Sequence, residues 1–459
     1  PMQENMLFHR LYEKESTAYH EQFSFSLTGS VNLTWFEEAW NAVCRRHDAL
    51  RTTFVYKGVP TPLQLVHKER PIEWRYEDLT KNMLSGTPAT DIRNHIAACQ
   101  KEDRQRGFQL DKDPLMRLYI FKVDEDKYRI LWSYHHILMD GWCLGAIIPD
   151  IQEAYTALGQ GKAVRLPPAP QYREYIRWLE RADENLALAY WSEYLEGFHP
   201  MTSLPRDVNS EAGQGYLHEM YSFDLDGNLS SKLSTIARAQ RVTINTLVQS
   251  IWGVVLAQAN NISDVAFGAA VSGRPGDLPH VEQIVGLFIN TIPVRMEVSP
   301  ESTFTELMQK VQSESIAAEP HHFVSLAAIQ TACQTEGQLV DHVLIFQNYP
   351  FGNALEELQK GYDTGFTFGE LEALEQTGYD LSVEIYPLPH VHFDFRYNPH
   401  AYSREFLTRV SNDLMTIFKA VGENPQITIK ELQKTITPKE IHTTDAEFLS
   451  AAMDIDDDF

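Results

Sequence analysis

Apolar residues follow two patterns along this chain, and the two patterns alternate from one end to the other. In some stretches an apolar residue stands at every third or fourth position, which predicts an amphipathic helix. In others, β-branched and aromatic residues follow one another in short runs, which predicts a strand. Because helix-like and strand-like stretches alternate throughout, the sequence favours an α/β fold.

Two helices of the first part have marked ends. Thr34 and Glu37 form a capping-box pattern, and the apolar positions after them predict a helix that ends near Arg51. A second helix is predicted from Trp142 to about Leu158. Pro149 within it predicts a kink or a late start, because proline cannot donate a helical hydrogen bond.

A segment rich in proline and glycine, 159–171, is the best candidate for a linker. We therefore expect one domain over 1–171, a second over 172–440 and an acidic tail over 441–459. The two halves are similar in size and pattern but share no clear repeat. After a helix near 172–178, the second half predicts strands at 218–226, 264–271, 342–347, 381–385 and 392–397, and helices at 229–237, 243–259 and 406–421.

Charge and composition narrow the function. The formal net charge is −24, which argues against nucleic acid and anionic membranes as partners of the whole surface. No signal peptide opens the chain, and no apolar run approaches the roughly 20 residues that span a bilayer. We therefore expect a cytoplasmic protein.

The motifs that bind metals, phosphates or acyl groups are missing. The four cysteines, Cys44, Cys99, Cys143 and Cys333, are scattered without a Cys-x-x-Cys pair, so we expect reduced thiols and no metal site. No phosphate-binding glycine loop, serine nucleophile elbow, zinc-binding His-Glu-x-x-His helix or carrier serine segment is present. The sequence therefore predicts no cofactor bound by this chain.

One heptapeptide, His135 to Gly141, carries the clearest chemistry. A strand-like run ends at His135-His136, and Asp140-Gly141 follow. Histidine titrates near neutrality and can take or give a proton at working pH. Neighbouring strand residues point to opposite faces, so if His136 faces a site, His135 faces packing.

Further segments complete a family pattern. They are Pro1–His9, Arg46–Phe54, His135–Trp142 with the signature HHxxxDGW, Tyr172–Trp178, Val285–Arg295, His321–Leu326 and Phe346–Pro350. Together they resemble the condensation domains of nonribosomal peptide synthetases, which belong to the chloramphenicol-acetyltransferase-like superfamily. The similarity runs from Pro1 to about Arg396, and Pro1 stands within the opening motif, so we expect the chain to be part of a longer protein.

The resemblance implies two acetyltransferase-like subdomains, each a mixed sheet with flanking helices, arranged as a V with the active site between them. It implies peptide-bond formation, in which a carrier-bound amine attacks a carrier-bound thioester. His136 would either take the amine proton or position the amine, and both roles stay open. Gly141 allows close backbone approach or a positive φ, and its N–H would polarise the donor carbonyl, although a simple turn glycine explains it equally well.

The other candidate residues have structural alternatives. The resemblance makes Asp140 half of a buried ion pair, for which Arg274 is the first candidate partner and Arg46 and Arg51 are alternatives. His135 is expected to be structural. Five residues are candidate liners of the substrate channel, although Trp142 fits a core position and the Asn290–Thr291 pair a self-satisfied strand end: Trp142, Asn290, Thr291, Gln347 and Asn348. His321 and His322 are expected to be surface loop residues.

The opening motif and the segment Phe346–Pro350 resemble the subtype that joins a D-configured donor to an L-configured acceptor. The expected partners are upstream and downstream carrier domains that present phosphopantetheine arms, an adjacent adenylation domain and an upstream epimerisation domain, with the chain itself monomeric. Two alternatives stay open: an acyltransferase that uses a soluble coenzyme A thioester, and a noncatalytic docking domain of the same fold, against which the intact histidine motif counts.

Overall fold

The computed structural model describes residues 2–12, 17–80, 89–199, 204–208, 219–335, 337–347, 364–374, 377–387 and 390–436. The predicted acidic tail, 441–459, lies outside these residues.

The described residues form helices and strands in alternation. The helices are α1 (Met2–Tyr12), α2 (Leu33–Arg46), α3 (Ala89–Arg106), α4 (Leu144–Gly159), α5 (Arg173–Leu179), α6 (Glu184–Tyr194), α7 (Gly227–Gln240), α8 (Ile244–Asn260), α9 (Phe304–Ala318), α10 (Leu326–Ala332), α11 (Arg404–Glu423) and α12 (Ile429–Thr435). The strands are β1 (His20–Gly29), β2 (Thr52–Val55), β3 (Leu63–Val66), β4 (Glu73–Asp78), β5 (Met116–Lys122), β6 (Lys127–His135), β7 (Glu219–Asp224), β8 (Asp264–Val271), β9 (Asn290–Glu297), β10 (Val343–Phe346), β11 (Phe366–Leu374), β12 (Leu381–Tyr386) and β13 (His392–Tyr397).

The strands form two mixed sheets and a small hairpin. The first sheet has the order β11-β1-β6-β5-β4, and the second has the order β7-β13-β12-β10-β8-β9. Each contains parallel pairs, β4 with β5 in the first and β10 with β8 and β12 in the second, beside antiparallel pairs. Strands β2 and β3 pair separately.

The expected domain boundary at residue 171 does not separate the two sheets. Strand β11 comes from the second part of the chain, yet it pairs antiparallel with β1 in the first sheet. Residues Leu278–Phe288 likewise contribute buried side chains to the first hydrophobic core. Strand β11 covers the hydrogen-bonding edge of β1, which would otherwise be exposed.

The start of α2 also differs from its prediction. Asn32, not Thr34, is the N-cap, and its side-chain oxygen accepts a hydrogen bond from the Trp35 N–H at 3.1 Å. Asn32 is held there because its own N–H donates to the Tyr155 hydroxyl at 2.8 Å. The helix ends at Arg46 and is followed by a 3₁₀ turn over Asp48–Arg51, so the predicted single helix is interrupted by an extended residue, His47.

Helix α4 begins at Leu144, two residues later than predicted, after a 3₁₀ turn over Gly141–Cys143. Pro149 lies inside α4. Within the described residues no single helix is long and apolar enough to cross a membrane; α7 and α8 meet that criterion only as a pair, bent by 103°.

Candidate active site

The histidine motif sits where β6 ends. Strand β6 lies inside the first sheet between β1 and β5, and His135 is its last residue, opposite His20 of β1. His136 then opens a 3₁₀ turn, and its N–H donates to the Tyr19 carbonyl at 2.8 Å. Because sheet neighbours hold the backbone on both sides, the motif starts from a rigid support.

His135 is engaged in packing and in capping the turn. Its side chain is buried, and its Nδ1 accepts the Ile137 N–H at 3.1 Å. The edge of its ring contacts Phe108. Burial, followed by the charges of His20 and His136, holds the pKa of His135 well below its ordinary value of 6.5. A neutral ring with a committed Nδ1 fits a structural position.

His136 is half-buried, and its Nδ1 has no hydrogen-bond partner among the described residues. Burial lowers the pKa of His136 from 6.5, and the charge of Asp140 only partly opposes this effect. The imidazole is therefore mainly neutral at neutral pH. A neutral imidazole can accept a proton from an amine or hold the amine by a hydrogen bond.

Asp140 is fully buried and pairs with Arg274, whose side chain is 3% exposed; Asp140 Oδ1 lies 3.1 Å from Arg274 Nη2. The guanidinium is fixed in turn by the carbonyls of Val281 and Ile284, at 2.6 and 3.0 Å, and stacks on the Phe288 ring. Of the two alternative partners named from the sequence, Arg46 pairs with Asp150 and Arg51 with Asp48.

The second carboxylate oxygen of Asp140 reaches a different segment. It accepts the N–H groups of Phe288 and Ile289 at 2.8 and 3.2 Å, while Oδ1 also accepts the Trp142 N–H at 3.2 Å. A buried carboxylate needs this many donors to offset its lost hydration. Asp140 therefore ties the histidine loop to the segment before β9.

Glycine allows this close contact between the two segments. A Cβ on Gly286 would lie 2.0 Å from the Tyr172 ring, and one on Gly273, where φ is +61°, would lie 1.9 Å from the Phe288 carbonyl oxygen. The Tyr172 hydroxyl donates to the Leu287 carbonyl. The sequence does not show why glycine is needed at either position, because the need arises only when distant segments meet.

Cys143 adds to the same contact. Its thiol donates to the Gly286 carbonyl at 3.2 Å and accepts the Gly286 N–H at 3.3 Å. Burial, helped by the charge of Asp140, raises the pKa of Cys143 to about 12. The thiol is therefore a protonated structural group. The sequence does not show which of the four cysteines has this role, because the contact with Gly286 exists only in the folded chain.

Gly141 starts the 3₁₀ turn Gly141–Cys143, a right-handed conformation, so this position does not need a positive φ. Trp142 is half-buried and is absent from the hydrophobic core clusters of the described residues. Gln347 is buried beside β10, and its backbone N–H donates to the Ile385 carbonyl at 2.8 Å. Asn348 lies outside the described residues.

Asn290 is engaged at the start of β9. Its amide nitrogen donates to the carbonyls of His322 and Val324, each at 2.6 Å, and its oxygen accepts the Thr291 N–H at 2.9 Å. This pattern fits the structural alternative, extended from the residue's own turn to another segment. Thr291 is half-buried and lies opposite Ala270 of β8 in the second sheet.

His321 and His322 lie in a turn between helices, as expected, but neither side chain is free at the surface. His321 stacks on Tyr190 with ring centroids 4.3 Å apart, and both histidines are half-buried. Their position is decided by packing against α6, which the local sequence does not indicate.

A buried charged network lies behind the histidine motif. Asp103 of α3 accepts hydrogen bonds from His20 at 3.1 Å and from Gln22 at 2.9 Å, and it pairs with Arg117 at 3.1 Å. Burial alone would raise the pKa of Asp103, but the His20 hydrogen bond and the Arg117 charge hold it well below its ordinary value. The network supports β1 directly opposite His135.

Gln3 of α1 reaches the motif from another side, because its amide nitrogen donates to the Ile137 carbonyl at 3.0 Å. Gln3 belongs to the opening segment that carried the family resemblance. That resemblance was the signal that could have placed it near the histidines.

Comparison with known proteins identifies the family of this chain. A family model described as "Condensation domain" matches residues 1–440. The chain belongs to the condensation domain family. The predicted membership is thereby confirmed at the level of the nonribosomal peptide synthetase family.

This condensation domain resembles parts of much longer synthases. It is 37% identical to tyrocidine synthase 2 of Brevibacillus parabrevis over 94% of the chain and 12% of that protein. It is 35% identical to surfactin synthase subunit 3 of Bacillus subtilis (strain 168), over 93% and 33%. It is 34% identical to gramicidin S synthase 2 of Brevibacillus brevis, over 94% and 10%. The chain thus spans a third or less of these relatives.

Solved structures share the fold. The complex of the X-domain and OxyB from teicoplanin biosynthesis matches with a TM-score of 0.78 and 20% identity, over 95% of both chains. The starter condensation domain of rhizomide synthetase with C8-CoA matches with a TM-score of 0.75 and 20% identity, over 94% and 95%. A four-domain nonribosomal peptide synthetase bound to AMP and glycine gives 0.75 and 18%, over 94% and 33%. These likenesses confirm the α/β condensation-domain fold.

Proposed function

We propose that this condensation domain forms a peptide bond by attack of a carrier-bound aminoacyl amine on a carrier-bound thioester, with His136 acting on the amine. The observation that carries the proposal is the state of His136. Burial keeps its imidazole neutral, and the turn that bears it is tied down at both ends, by Tyr19 before it and by the Asp140–Arg274 pair after it.

Peptide-bond formation from a thioester needs little more than a neutral, well-positioned imidazole. The attacking amine loses a proton as the tetrahedral intermediate forms, and the departing phosphopantetheine thiol gains one. His136 can take the amine proton or hold the amine in line with the carbonyl, and either role supports the reaction. Gly141 would contribute its N–H to the developing oxyanion. His135 and Asp140 act as positioning residues.

The donor is proposed to be D-configured, delivered by an upstream carrier after an epimerisation domain. The support is the resemblance of the opening segment and of Phe346–Pro350 to the D-donor subtype. The phosphopantetheine arms belong to the carrier domains. A downstream carrier, next to an adenylation domain, would supply the acceptor.

Two solved neighbours of the same fold bear on the two alternatives by what they bind. One is a starter condensation domain in complex with C8-CoA, and the other is an X-domain in complex with OxyB. At 20% identity these likenesses concern the fold, so the alternatives of a coenzyme A substrate and of a docking role are decided by assay. The intact His135–His136 pair favours catalysis.

The deciding experiment mixes the chain with a donor carrier and an acceptor carrier, each loaded with its aminoacyl thioester, and measures dipeptide by mass spectrometry. His136→Ala is expected to slow dipeptide formation by at least about 100-fold with an unchanged circular dichroism spectrum. His390→Ala, a change at an exposed histidine, is the matched control. Full activity of the His136 variant would refute the assigned role.

The same assay tests the donor. Donors that differ only at the α-carbon are compared, and the D-form is expected to react faster. Equal rates for both forms would refute the stereochemical proposal. Product from an acyl-coenzyme A donor, with none from the loaded carrier, would favour the soluble-thioester alternative instead.

A further inference from the structure

A second cluster of reactive side chains lies between helix α3 and β4, an edge strand of the first sheet. His95 and Cys99 stand four residues apart on α3, so they lie on the same face of the helix. Glu77 of β4, the edge strand, points its carboxylate at them. The site contains none of the residues of the histidine motif.

The three side chains are spaced like ligands around one ion. Glu77 Oε1 lies 3.1 Å from His95 Nε2, and Cys99 Sγ lies 3.7 Å from the same nitrogen. All three ligand atoms lie within 4.8 Å of one another. In a tetrahedral zinc site, the usual bond lengths place the N and O ligands about 3.4 Å apart and the N and S ligands about 3.6 Å apart. The Glu77–His95 and Cys99–His95 distances each lie within a few tenths of an ångström of these values.

We propose that Glu77, His95 and Cys99 bind a divalent ion of the zinc class, with water as the fourth ligand. Thiolate, imidazole and carboxylate are the ligand types that Zn²⁺ takes in proteins. The Cys99 thiol releases its proton to solvent when the ion binds.

The surroundings fit an ion site. The His95 side chain is 43% exposed and that of Glu77 is 28% exposed, so solvent reaches the fourth position. Arg75 Nη2 lies 3.6 Å from the other Glu77 oxygen and steadies the carboxylate. The His95 ring makes a T-shaped contact with Phe121, a residue of the small apolar cluster beneath α3.

The bound ion would join helix α3 to the edge strand β4. Strand β4 is an edge of the first sheet. Helix α3 also carries Asp103, whose carboxylate supports β1 in the same sheet. An ion that binds the folded state alone raises the unfolding temperature. The site is therefore a structural clip, independent of the proposed peptide-bond chemistry.

Cobalt(II) reports the ligation directly. The tag-free chain is reduced, passed through a chelating resin and titrated with CoCl₂. A thiolate-to-cobalt absorption band in the near ultraviolet, saturating at one equivalent and displaced by ZnCl₂, is the expected result. The unfolding temperature should rise by a few degrees with Zn²⁺.

Variants assign the ligands. Cys99→Ser should abolish the band, and His95→Ala and Glu77→Gln should weaken binding at least about tenfold. Cys333→Ser is the matched control, because Cys333 is the other half-buried cysteine. Circular dichroism confirms that each variant folds. Absence of the band in the unaltered chain, or its persistence in Cys99→Ser, would overturn the proposal; so would undiminished affinity in both the His95 and the Glu77 variants.

Discussion

Asp140 and Arg274 form a buried ion pair across 134 positions of sequence, with Oδ1 and Nη2 3.1 Å apart. Neither residue reaches solvent to a useful extent, so each is the main compensation for the other's charge. The same carboxylate accepts backbone N–H groups from Phe288 and Ile289. The pair is therefore a joint between the histidine loop and the segment that enters β9.

Arg274→Met is expected to destabilise the chain strongly, because it leaves the Asp140 carboxylate buried without its cation. The cost should be about 3–5 kcal/mol, measured as the free energy of unfolding in urea. Arg45→Ala removes one partner of an exposed pair with Glu38 and should cost less than about 1 kcal/mol. Equal effects of the two substitutions would contradict the structural importance of the buried pair.

Gly286→Ala should disturb the same joint by a different route. The added Cβ would overlap the Tyr172 ring at 2.0 Å, so either the ring or the backbone must move. We expect a loss of about 1–3 kcal/mol and slower dipeptide formation. Gly145→Ala in α4 is the control, since a Cβ added there would have no atom within 4 Å and alanine favours a helix. A Gly286 variant as stable as the Gly145 variant would contradict the prediction, because it would show that the histidine loop and the segment before β9 do not need this close contact.

The free energy of unfolding should fall as the pH drops below about 6.5. Burial lowers the folded-state pKa values of His20, His135 and His136 from 6.5, so below that pH the unfolded chain binds protons that the folded chain does not. Their contribution is complete above pH 6.5 and is lost toward the lower folded-state values. Asp103 extends the decline: its stabilisation is present above 3.8 and is lost below that.

The urea midpoint measured from pH 8 to pH 5 checks this direction. His392 acts in the opposite sense, because its carboxylate neighbours outweigh burial and raise its pKa, but it is partly exposed. His135→Asn should flatten the slope by up to about 1.4 kcal/mol per pH unit, since one titrating group is removed while an acceptor remains for the Ile137 N–H. A midpoint that rises toward pH 5 would contradict the prediction.

Asn290→Ala separates a structural role from a channel role. It leaves the carbonyls of His322 and Val324 without their donor, which should cost about 1–3 kcal/mol. If Asn290 is structural, the KM for the acceptor should stay nearly constant at a temperature where the variant is folded. Thr291→Val, which removes the neighbouring hydroxyl, serves for comparison. A large rise in KM without a loss of stability would restore the channel assignment.

The α/β class, about half of the helices and strands among the described residues, and the position of the histidine pair where β6 ends could be predicted from the sequence. The strand predicted over 264–271 matches β8, because a short unbroken apolar run such as 265–271 is typical of a buried strand. The alternation that gives a helix or strand is local, and so is the order His135, His136, Asp140. Such local patterns can be interpreted from one segment alone, without knowing which other segments it contacts.

The folded chain was needed to learn which distant groups meet. Arg274 was one of three arginines compatible with Asp140, and only the folded chain pairs it while sending Arg46 to Asp150. Three further features also depend on contacts between distant segments. They are the place of β11 in the first sheet, the need for glycine at position 286 and the Glu77–His95–Cys99 cluster. Contacts between residues far apart in sequence are set by how sheets and loops pack, and no periodicity within a single segment encodes that packing.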